Sequence, residues 1–377
     1  MIKFNQLSFW EKETFLYHID FLIIGSGIVG LSTAIHLKKA LHNKKVLVLE
    51  RGYLPTGAST KNAGFACIGS ASEILDDLKT DSASNIFSTL EKRWKGLQYL
   101  RQLLGDKSID YQAIGSHELF YPREKNEIEA CKNHLPYLNS ELRKITGISE
   151  NFLVANNICT HSGFNGFSLG ISNAAEGQID TGKMMSQLLK LAKDLGINII
   201  NGIQVNLVEN NSVQTNYGNI AFKQLAICTN GLAKQFLPNE DIAPARAQVV
   251  VTSPIDNLKL KGIFHFDKGY YYFRNIENRV LFGGGRNLDF EAEETDELNT
   301  SDHIINHLSQ LLETDILPNN SFSIEHHWAG TMGVGKAKHP IIQKVDKDIF
   351  CGVRLGGMGV AIGTLVGQEL TQLILES

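Results

Sequence analysis

The amino-acid sequence predicts an α/β protein with two lobes, one built on a parallel sheet and a smaller one built on an antiparallel sheet. A chain of 377 residues is long enough to bury a core in each lobe. Residues 20–24 form an apolar strand that ends in a glycine-rich turn, and a helix and a second strand, residues 46–49, follow. Aromatic and β-branched runs at residues 248–253, 269–274 and 279–283 have the pattern of antiparallel strands.

The composition is that of an ordinary globular protein, with 43% hydrophobic residues, 20% charged residues and a formal net charge of -4 spread along the chain. This charge distribution argues against nucleic-acid binding. The N-terminal residues carry acidic side chains and no apolar signal-peptide core, and the apolar runs are shorter than a membrane span. We therefore expect a cytoplasmic protein, with peripheral membrane attachment and homo-oligomer formation left open.

Cysteine and histidine give no sign of a metal centre. The five cysteines include no CxxC pair, so the sequence predicts neither a disulfide framework nor a thiolate site. His326 and His327 are adjacent but lack a third ligand, which is more typical of surface or strand residues. No metal is expected.

The glycine-rich turn has the spacing of a dinucleotide-binding fingerprint. Gly25, Gly27 and Gly30 follow the first strand and open the helix, and Glu50 ends the next strand. The first glycine permits the tight turn, the second lets a pyrophosphate approach the backbone, and the third allows helix and strand to pack closely. Glu50 would accept hydrogen bonds from an adenosine ribose, so this part of the chain is expected to bind a dinucleotide.

Two further loops favour FAD over NAD. Residues 57–65, rich in glycine and hydroxyl side chains, follow the second strand, where an extended dinucleotide needs a cradle beyond the first helix. Residues 356–361 form another glycine-rich loop that enters the last helix, where backbone N–H groups suit the electron-rich edge of a flavin. Three such loops are what one long ligand spanning one lobe requires.

With these motifs the chain resembles the D-amino-acid oxidase superfamily of FAD-dependent oxidoreductases, which includes glycine oxidase, sarcosine oxidase and γ-glutamylputrescine oxidase. The resemblance extends over nearly the whole chain. It implies a glutathione-reductase-like, FAD-binding Rossmann domain joined to a smaller α+β substrate domain. It also implies that Val205 holds the adenine by backbone contacts and that residues 62–65 lie along the flavin. The residues expected at the cofactor are Gly25, Ser26, Gly27, Ile28, Val29, Gly30, Glu50, Arg51, Ser59, Thr60, Lys61, Asn62, Ala63, Gly64, Phe65, Val205, Thr229, Asn230, Gly231, Gly330, Gly357, Met358, Gly359, Val360 and Ala361.

The resemblance also bears on domain limits and on cofactor attachment. Residues 1–75, 172–242 and 325–377 are expected to form the FAD domain, and residues 76–171 and 243–324 the substrate domain. Family members that attach the flavin covalently carry a histidine where this chain has residues 60–62, or a cysteine near residues 328–330. This chain has neither, so we expect non-covalent FAD.

The expected reaction is oxidation of a C–N bond in a small amine or amino acid by hydride transfer to flavin N5, followed by reoxidation of the flavin by oxygen or an electron carrier. An FAD-dependent 2-hydroxy-acid dehydrogenase, which would need a base such as histidine over the flavin, is one alternative. A flavin-binding subunit without turnover is another.

Substrate binding is predicted on the aromatic strand near residue 270. Tyr270, Tyr272 and Arg274 share one face of a strand through its period of two, and an arginine fork suits a substrate carboxylate better than a lysine does. Arg274 is the first choice for that anchor. Arg286, which follows Gly283–Gly285, is the second.

Overall fold

The first lobe is organised around a six-stranded sheet at whose centre lies Phe21–Ile24, a run of four buried apolar residues. Strands of a mainly parallel sheet are covered on both faces, which explains why they are continuously apolar rather than alternating. The pairing is parallel except between the last two strands of the chain. In spatial order the strands are Ile341–Asp346, Ile349–Val353, Gln224–Ile227, Phe21–Ile24, Val46–Glu50 and Asn198–Asn201. The computed structural model describes residues 4–377.

Glycine sets the packing of the first helix, Ile28–Ala40, on this sheet. Gly25 has φ +101°, a conformation that side chains rarely adopt, and a Cβ atom on Gly30 would lie 1.9 Å from the carbonyl oxygen of Gly25. Both positions therefore require glycine, as the fingerprint predicts. The helix also packs against the C-terminal helix, Gly359–Leu375.

The second sheet has eight strands and belongs to the lobe for which the sequence predicted an antiparallel sheet. Its strands pair antiparallel except Ile263–Phe266 with Ser116–Phe120. In spatial order they are Ile324–Val334, Ala243–Thr252, Arg279–Gly284, Tyr271–Ile276, Ile263–Phe266, Ser116–Phe120, Leu169–Asn173 and Phe152–Ala155.

This pairing differs from the expected division of the chain at one place. Ile324–Val334 forms a long ladder with Ala243–Thr252, whereas the predicted limit at residue 325 assigns most of it to the FAD domain. The main-chain pairing continues through Gly330 and Gly333. Two small sheets complete the β-structure. They contain Asn219–Ala221, Ser212–Thr215 and Val205–Val208, and Phe65–Ala66 with Gly177–Gln178.

Residues 71–104 contain two helices, Ala71–Asp77 and Ala83–Leu104. Ser70 and Ser82 cap the two N-termini by accepting hydrogen bonds from the backbone N–H three residues on, so each helix starts at a serine. The other α-helices are Phe9–Glu11, Ala58–Lys61, Asp106–Ile109, Lys125–Thr146, Ile158–Ser162, Thr181–Asp194 and Asp302–Leu311; short 3₁₀ or π turns are Phe4–Gln6, Lys12–Leu16, Asn230–Gln235, Arg286–Leu288 and Leu312–Ile316.

Within residues 4–377, no helix has the length and apolarity needed to cross a membrane. All five cysteines are buried and unpaired. His326 and His327 are exposed, and His327 Nδ1 lies 2.9 Å from the Thr300 hydroxyl. No group of three or more metal-ligating side chains occurs in the described part of the chain.

Candidate active site

A cavity of about 630 Å³ lies between the two large sheets. One wall is formed by the carboxyl ends of the parallel strands, represented by Ile24, Glu50 and Cys228. The opposite wall is the face of the eight-stranded sheet that carries Val249 and Tyr272. Ligands of open α/β sheets bind at the carboxyl ends of the strands, so this is where a dinucleotide is expected.

Glu50 stabilises the glycine turn. Its Oε2 accepts hydrogen bonds from the backbone N–H of Ser26 (3.1 Å) and from the Ser26 hydroxyl (2.7 Å), and its Oε1 accepts one from the N–H of Gly52 (2.9 Å). The residue is buried and lines the cavity. Because each carboxylate oxygen offers two lone-pair directions, Glu50 keeps capacity for a ligand hydroxyl.

The loop at residues 57–65 crosses from the parallel sheet to the other wall and is held by its own side chains. The Asn62 side chain accepts from the N–H of Gly64 (2.9 Å) and from the Thr181 hydroxyl (2.8 Å). Trp328 donates its indole N–H to the Lys61 carbonyl oxygen (2.9 Å), and the Ser59 hydroxyl accepts from the N–H of Ile28 (2.9 Å). The loop is therefore preorganised against both walls.

The C-terminal glycine loop reaches the same cavity. Gly356 and Gly357 have φ +56° and +81°, and the N–H of Leu355 donates to the side-chain oxygen of Asn230 (3.2 Å). Gly357, Met358, Gly359 and Val360 all line the cavity. Two separate stretches of chain thus meet beside the N-terminus of the last helix.

The residues present fit an FAD molecule. Thr229 and Thr331 line the cavity with buried hydroxyl groups that have no hydrogen-bond partner in the structure, which is unusual unless a ligand satisfies them. The expected cofactor residues that line the cavity are Gly25, Gly27, Ile28, Val29, Glu50, Arg51, Ser59, Lys61, Asn62, Ala63, Phe65, Val205, Thr229, Asn230, Gly330, Gly357, Met358, Gly359 and Val360.

Six expected cofactor residues do not line the cavity. Gly30 and Gly231 serve backbone packing, since a Cβ on Gly231 would lie 2.3 Å from the Met332 carbonyl oxygen. The Thr60 hydroxyl donates to the Gly57 carbonyl oxygen (3.1 Å). The Ser26 hydroxyl is taken by Glu50. The remaining two are Gly64, which packs on Arg274, and Ala361, whose carbonyl oxygen packs against Gly96.

Several lining residues carry no sequence motif and were missed. Their common feature is that long-range packing rather than local spacing brings them to the cavity. They are Gln204, Leu232, Gln235 and Phe236 near Val205, Thr331 and Met332 beside the C-terminal loop, and Ser70, Glu73, Asp76, Glu176, His265, Lys268, Leu298 and Lys338 farther out. Thr331, adjacent to Gly330, is the one that the sequence motif could have indicated.

Tyr272 lies at the centre of the sheet wall. Its ring packs edge-on against Phe65 at 5.5 Å between centroids, and burial raises the pKa of its phenol to about 12. Tyr270 precedes the strand rather than belonging to it and is 37% exposed, although it also lines the cavity. The predicted wall of tyrosines therefore consists of one strand residue and one turn residue.

Arg274 and Arg286 have different roles in the structure. Arg274 is buried, and its Nη1 donates to the carbonyl oxygens of Gly64 (3.0 Å) and Ile179 (2.8 Å). Burial lowers the pKa of its guanidinium to about 10, a value at which the group is still charged at neutral pH. Arg274 shares a sheet face with Tyr272, as expected, but is not among the residues that line the cavity.

Arg286 does line the cavity. Its guanidinium lies 5.0 Å from the Phe290 ring centroid, and its Nε is buried without a hydrogen-bond partner. No acidic side chain of residues 4–377 forms an ion pair with it. Of the two arginines that the sequence suggested, Arg286 is therefore the one that lines the cavity.

The loop that carries Arg286 is fixed by a buried ion pair. Arg246 Nη2 lies 2.6 Å from Glu293 Oε1, and Gln248 donates to both oxygens of that carboxylate at 3.0 Å. Asn287 donates to Asp267 (2.9 Å), which ties the loop to the turn before Tyr270. Arg286 therefore lies on a loop that these contacts hold in place.

Ion pairs surround the outer end of the cavity. Lys338 lies 3.2 Å from Glu73 and 2.6 Å from Asp77, and Lys268 lies 3.3 Å from Asp76. The three acidic residues belong to the short helix Ala71–Asp77, so lysines from two other segments hold this helix at the cavity. Charges at this end are compensated within the protein, unlike that of Arg286.

The comparisons with known proteins agree with this architecture. The family model "FAD dependent oxidoreductase" matches residues 20–373. The oxidoreductase OrdL of Haemophilus influenzae is 23% identical, covering 98% of this chain and 86% of the relative, and the gamma-glutamylputrescine oxidoreductase of Escherichia coli is 24% identical, covering 94% and 83%. Among solved structures, glycine oxidase from Bacillus cereus superposes with a TM-score of 0.74 at 16% identity, covering 95% of this chain and 97% of that one. The chain belongs to the family of FAD-dependent oxidoreductases.

Proposed function

We propose that this chain oxidises the C–N bond of a small amine or amino acid that bears a carboxylate, using non-covalently bound FAD. The observation that carries the proposal is the cavity-lining guanidinium of Arg286, which has no acidic partner among the described residues. A buried or half-buried cation without a counter-charge is costly, and a ligand carboxylate supplies that charge with charge-assisted hydrogen bonds.

The position of Arg286 supports this role for it rather than for Arg274. Both hydrogen bonds that Arg274 Nη1 makes are to backbone carbonyl oxygens, so this arginine stabilises the junction of two loops. Arg286 instead follows the strand that pairs with Tyr271–Ile276, beside Tyr270 and Tyr272. A tyrosine hydroxyl next to the arginine fork would complete a carboxylate site.

The chemistry that bound FAD would supply is uptake of a hydride from the substrate carbon. The glycine turn, the loop at residues 57–65 and the C-terminal glycine loop would hold it. The protein's remaining work is to fix the substrate carbon in place and to exclude water. Oxygen or an electron carrier would accept the electrons afterwards.

Non-covalent attachment is proposed because residues 60–62 contain no histidine and residues 328–330 no cysteine. Two cysteines elsewhere, Cys67 and Cys228, do line the cavity. Burial raises the pKa of both thiols, so neither is a thiolate at neutral pH.

The names of similar proteins favour an amine substrate. The Escherichia coli relative is a gamma-glutamylputrescine oxidoreductase, and the structural neighbours include a glycine oxidase and the L-proline dehydrogenase of P. horikoshii, the latter with a TM-score of 0.73 at 18% identity over 95% of this chain and 93% of that one. Each of these names denotes a compound with a C–N bond.

A 2-hydroxy acid is the second candidate substrate class. That reaction needs a base for the hydroxyl proton, and His265 lines the cavity, which is the observation that favours this alternative.

Anaerobic mixing with a panel of amines, amino acids and 2-hydroxy acids tests the proposal. We expect a yellow protein that releases intact FAD on acid precipitation and whose flavin absorbance is bleached by at least one carboxylate-bearing amine. Bleaching by hydroxy acids alone would support the second candidate, and colour retained in the precipitate would contradict non-covalent binding. Mixing the bleached protein with oxygen then separates an oxidase from a dehydrogenase.

A further inference from the structure

His265 lies in the cavity wall without a structural partner for its ring. It belongs to the strand Ile263–Phe266, is 7% exposed and lines the cavity. Its Nδ1 is buried and has no hydrogen-bond partner. Buried polar atoms of side chains are nearly always satisfied, so an unpartnered imidazole beside a ligand cavity points to a group that arrives with the ligand.

The strand register puts His265 in line with two other residues of the same face. Tyr272 is its neighbour on one side, and Glu118 is its neighbour on the other. The strand of Tyr272 separates that of His265 from Arg279–Gly284, the strand that leads to Arg286. Two strand spacings are about 10 Å. Both residues line the same cavity, from the same sheet wall.

A carboxylate from another element lines the same cavity as His265. Glu73, from the helix Ala71–Asp77, lines the same cavity. Burial opposes ionisation of Glu73, but the charges of Lys338, Arg93 and His265 outweigh it and lower the pKa of the carboxyl group.

The other neighbours are committed elsewhere. Glu118 accepts hydrogen bonds from the Ser70 hydroxyl (2.9 Å) and the N–H of Ser72 (3.1 Å), which fixes the start of the helix that carries Glu73. Tyr272 stays neutral because burial raises the pKa of its phenol to about 12.

His117 provides a contrast on the adjacent strand. It faces the opposite side of the sheet, where its ring stacks on Phe264 at 5.4 Å, and it does not line the cavity. Its Nδ1 also lacks a partner, and burial lowers the pKa of its ring to about 4. His117 is thus a half-buried, neutral histidine that does not line the cavity.

We propose that His265 accepts the proton of the substrate ammonium group and delivers the neutral amine for oxidation. This inference rests on the proposed amine substrate. In the step, one N–H bond of the ammonium breaks and one N–H bond forms on the imidazole, so the positive charge moves from substrate to His265 and no electrons are exchanged. The proton returns to solvent before the next turnover.

The test uses the holoprotein and the amine that bleaches the wild type best. His265→Gln keeps a polar side chain but cannot take up a proton, and His117→Gln is the matched control. The rate of anaerobic bleaching at saturating amine is measured from pH 6 to pH 10. We expect His265→Gln to be slower by about 10²-fold at pH 7. It should approach the wild-type rate at pH 10, where the substrate amine is largely deprotonated before it binds. His117→Gln should keep the wild-type pH profile.

Binding of acetate, a carboxylate without an amine, is a second readout, followed by the change in flavin absorbance. Acetate should bind His265→Gln and the wild type equally, which shows that the site is intact. A His265→Gln profile parallel to that of the wild type, or an equal loss at every pH, would overturn the role in proton transfer. If no amine bleaches the wild type, or only hydroxy acids do, the proposed amine substrate is wrong and this inference fails with it.

Discussion

At the cofactor end of the cavity the chain presents backbone and small residues, whereas at the sheet end it presents long polar side chains. The glycine turn and the two other loops bring Gly27, Ser59 and Gly357 to the first end. Tyr272, His265 and Arg286 reach the second end from separate strands and a loop. The first end is therefore defined by sequence-local geometry, and the second by strand register and packing.

This difference predicts different consequences of substitution. A change at the cofactor end should remove FAD and with it every later function. A change at the sheet end should leave the cofactor in place and alter only substrate binding or its pH dependence. If substitutions at both ends changed FAD content and substrate binding alike, the two ends of the cavity would not be functionally distinct.

The largest effect is expected for Gly27→Val. A Cβ atom at this position would lie 2.8 Å from Ser59 Oγ, and the branched side chain would also fill the space needed by a pyrophosphate. We expect a colourless protein, checked by its visible absorbance after purification. Gly182→Ala is the control, because Gly182 is exposed on a helix outside the cavity and should keep its flavin. Normal flavin content in Gly27→Val would show that the glycine turn is not needed to bind FAD.

The next effect concerns the two arginines. Arg286→Ala should weaken acetate binding by about 10–100-fold, the value of a charge-assisted hydrogen bond, while flavin content stays normal. Arg274→Ala should instead lower the unfolding midpoint, because two backbone carbonyl oxygens lose their donor. An acetate titration and a thermal unfolding curve for each variant check this. Weak acetate binding in a stable, flavin-loaded Arg274→Ala variant would reverse the assignment.

Glu50→Ala should reduce FAD affinity by roughly 1.5–3 kcal/mol through loss of a charge-assisted hydrogen bond. Glu50 also binds Ser26 and Gly52, so part of the loss comes from a looser turn. Glu50→Gln is the informative partner variant, since an amide keeps one acceptor. Fluorescence titration of the apoprotein with FAD measures both, and an unchanged affinity in Glu50→Ala would exclude a role at the ribose.

The smallest effect is a pH-dependent change of stability at His117. Because burial lowers its folded-state pKa to about 4 from an ordinary 6.5, the unfolded chain takes up a proton first as the pH falls. Stability from this group is present above pH 6.5, is lost between pH 6.5 and 4, and changes no further below that. Against His117→Phe, the wild type should lose on the order of 2 kcal/mol more between pH 7 and pH 4 in denaturant unfolding. A constant difference would mean that His117 has the same pKa in the folded and the unfolded chain.

The sequence predicted the parts of the site whose geometry is local. Gly25, Gly30 and Glu50 occupy the turn and strand end that their spacing implied, and the family was confirmed. The ranking of Arg274 and Arg286 could not be read from a two-residue period. That period gives the face of a strand but not which part of the face a loop covers, and here the loop at Gly64 takes up Arg274.

The missed residues have the same physical cause. His265 is aligned with Tyr272 only through the pairing of two strands, and Glu73 reaches it from a helix nearly two hundred positions earlier in the chain. The predicted boundary at residue 325 falls within the strand Ile324–Val334, whose pairing with Ala243–Thr252 is likewise non-local. Non-local pairing leaves no pattern in a single sequence.

A crystal structure of the yellow protein with acetate bound tests the central claim most directly. We expect FAD along the three glycine-containing loops. The acetate carboxylate should lie within about 3 Å of the Arg286 guanidinium, and His265 should face the part of the cavity that holds the acetate. Acetate held by Arg274, or a carboxylate site away from the sheet that carries Tyr272, would contradict it.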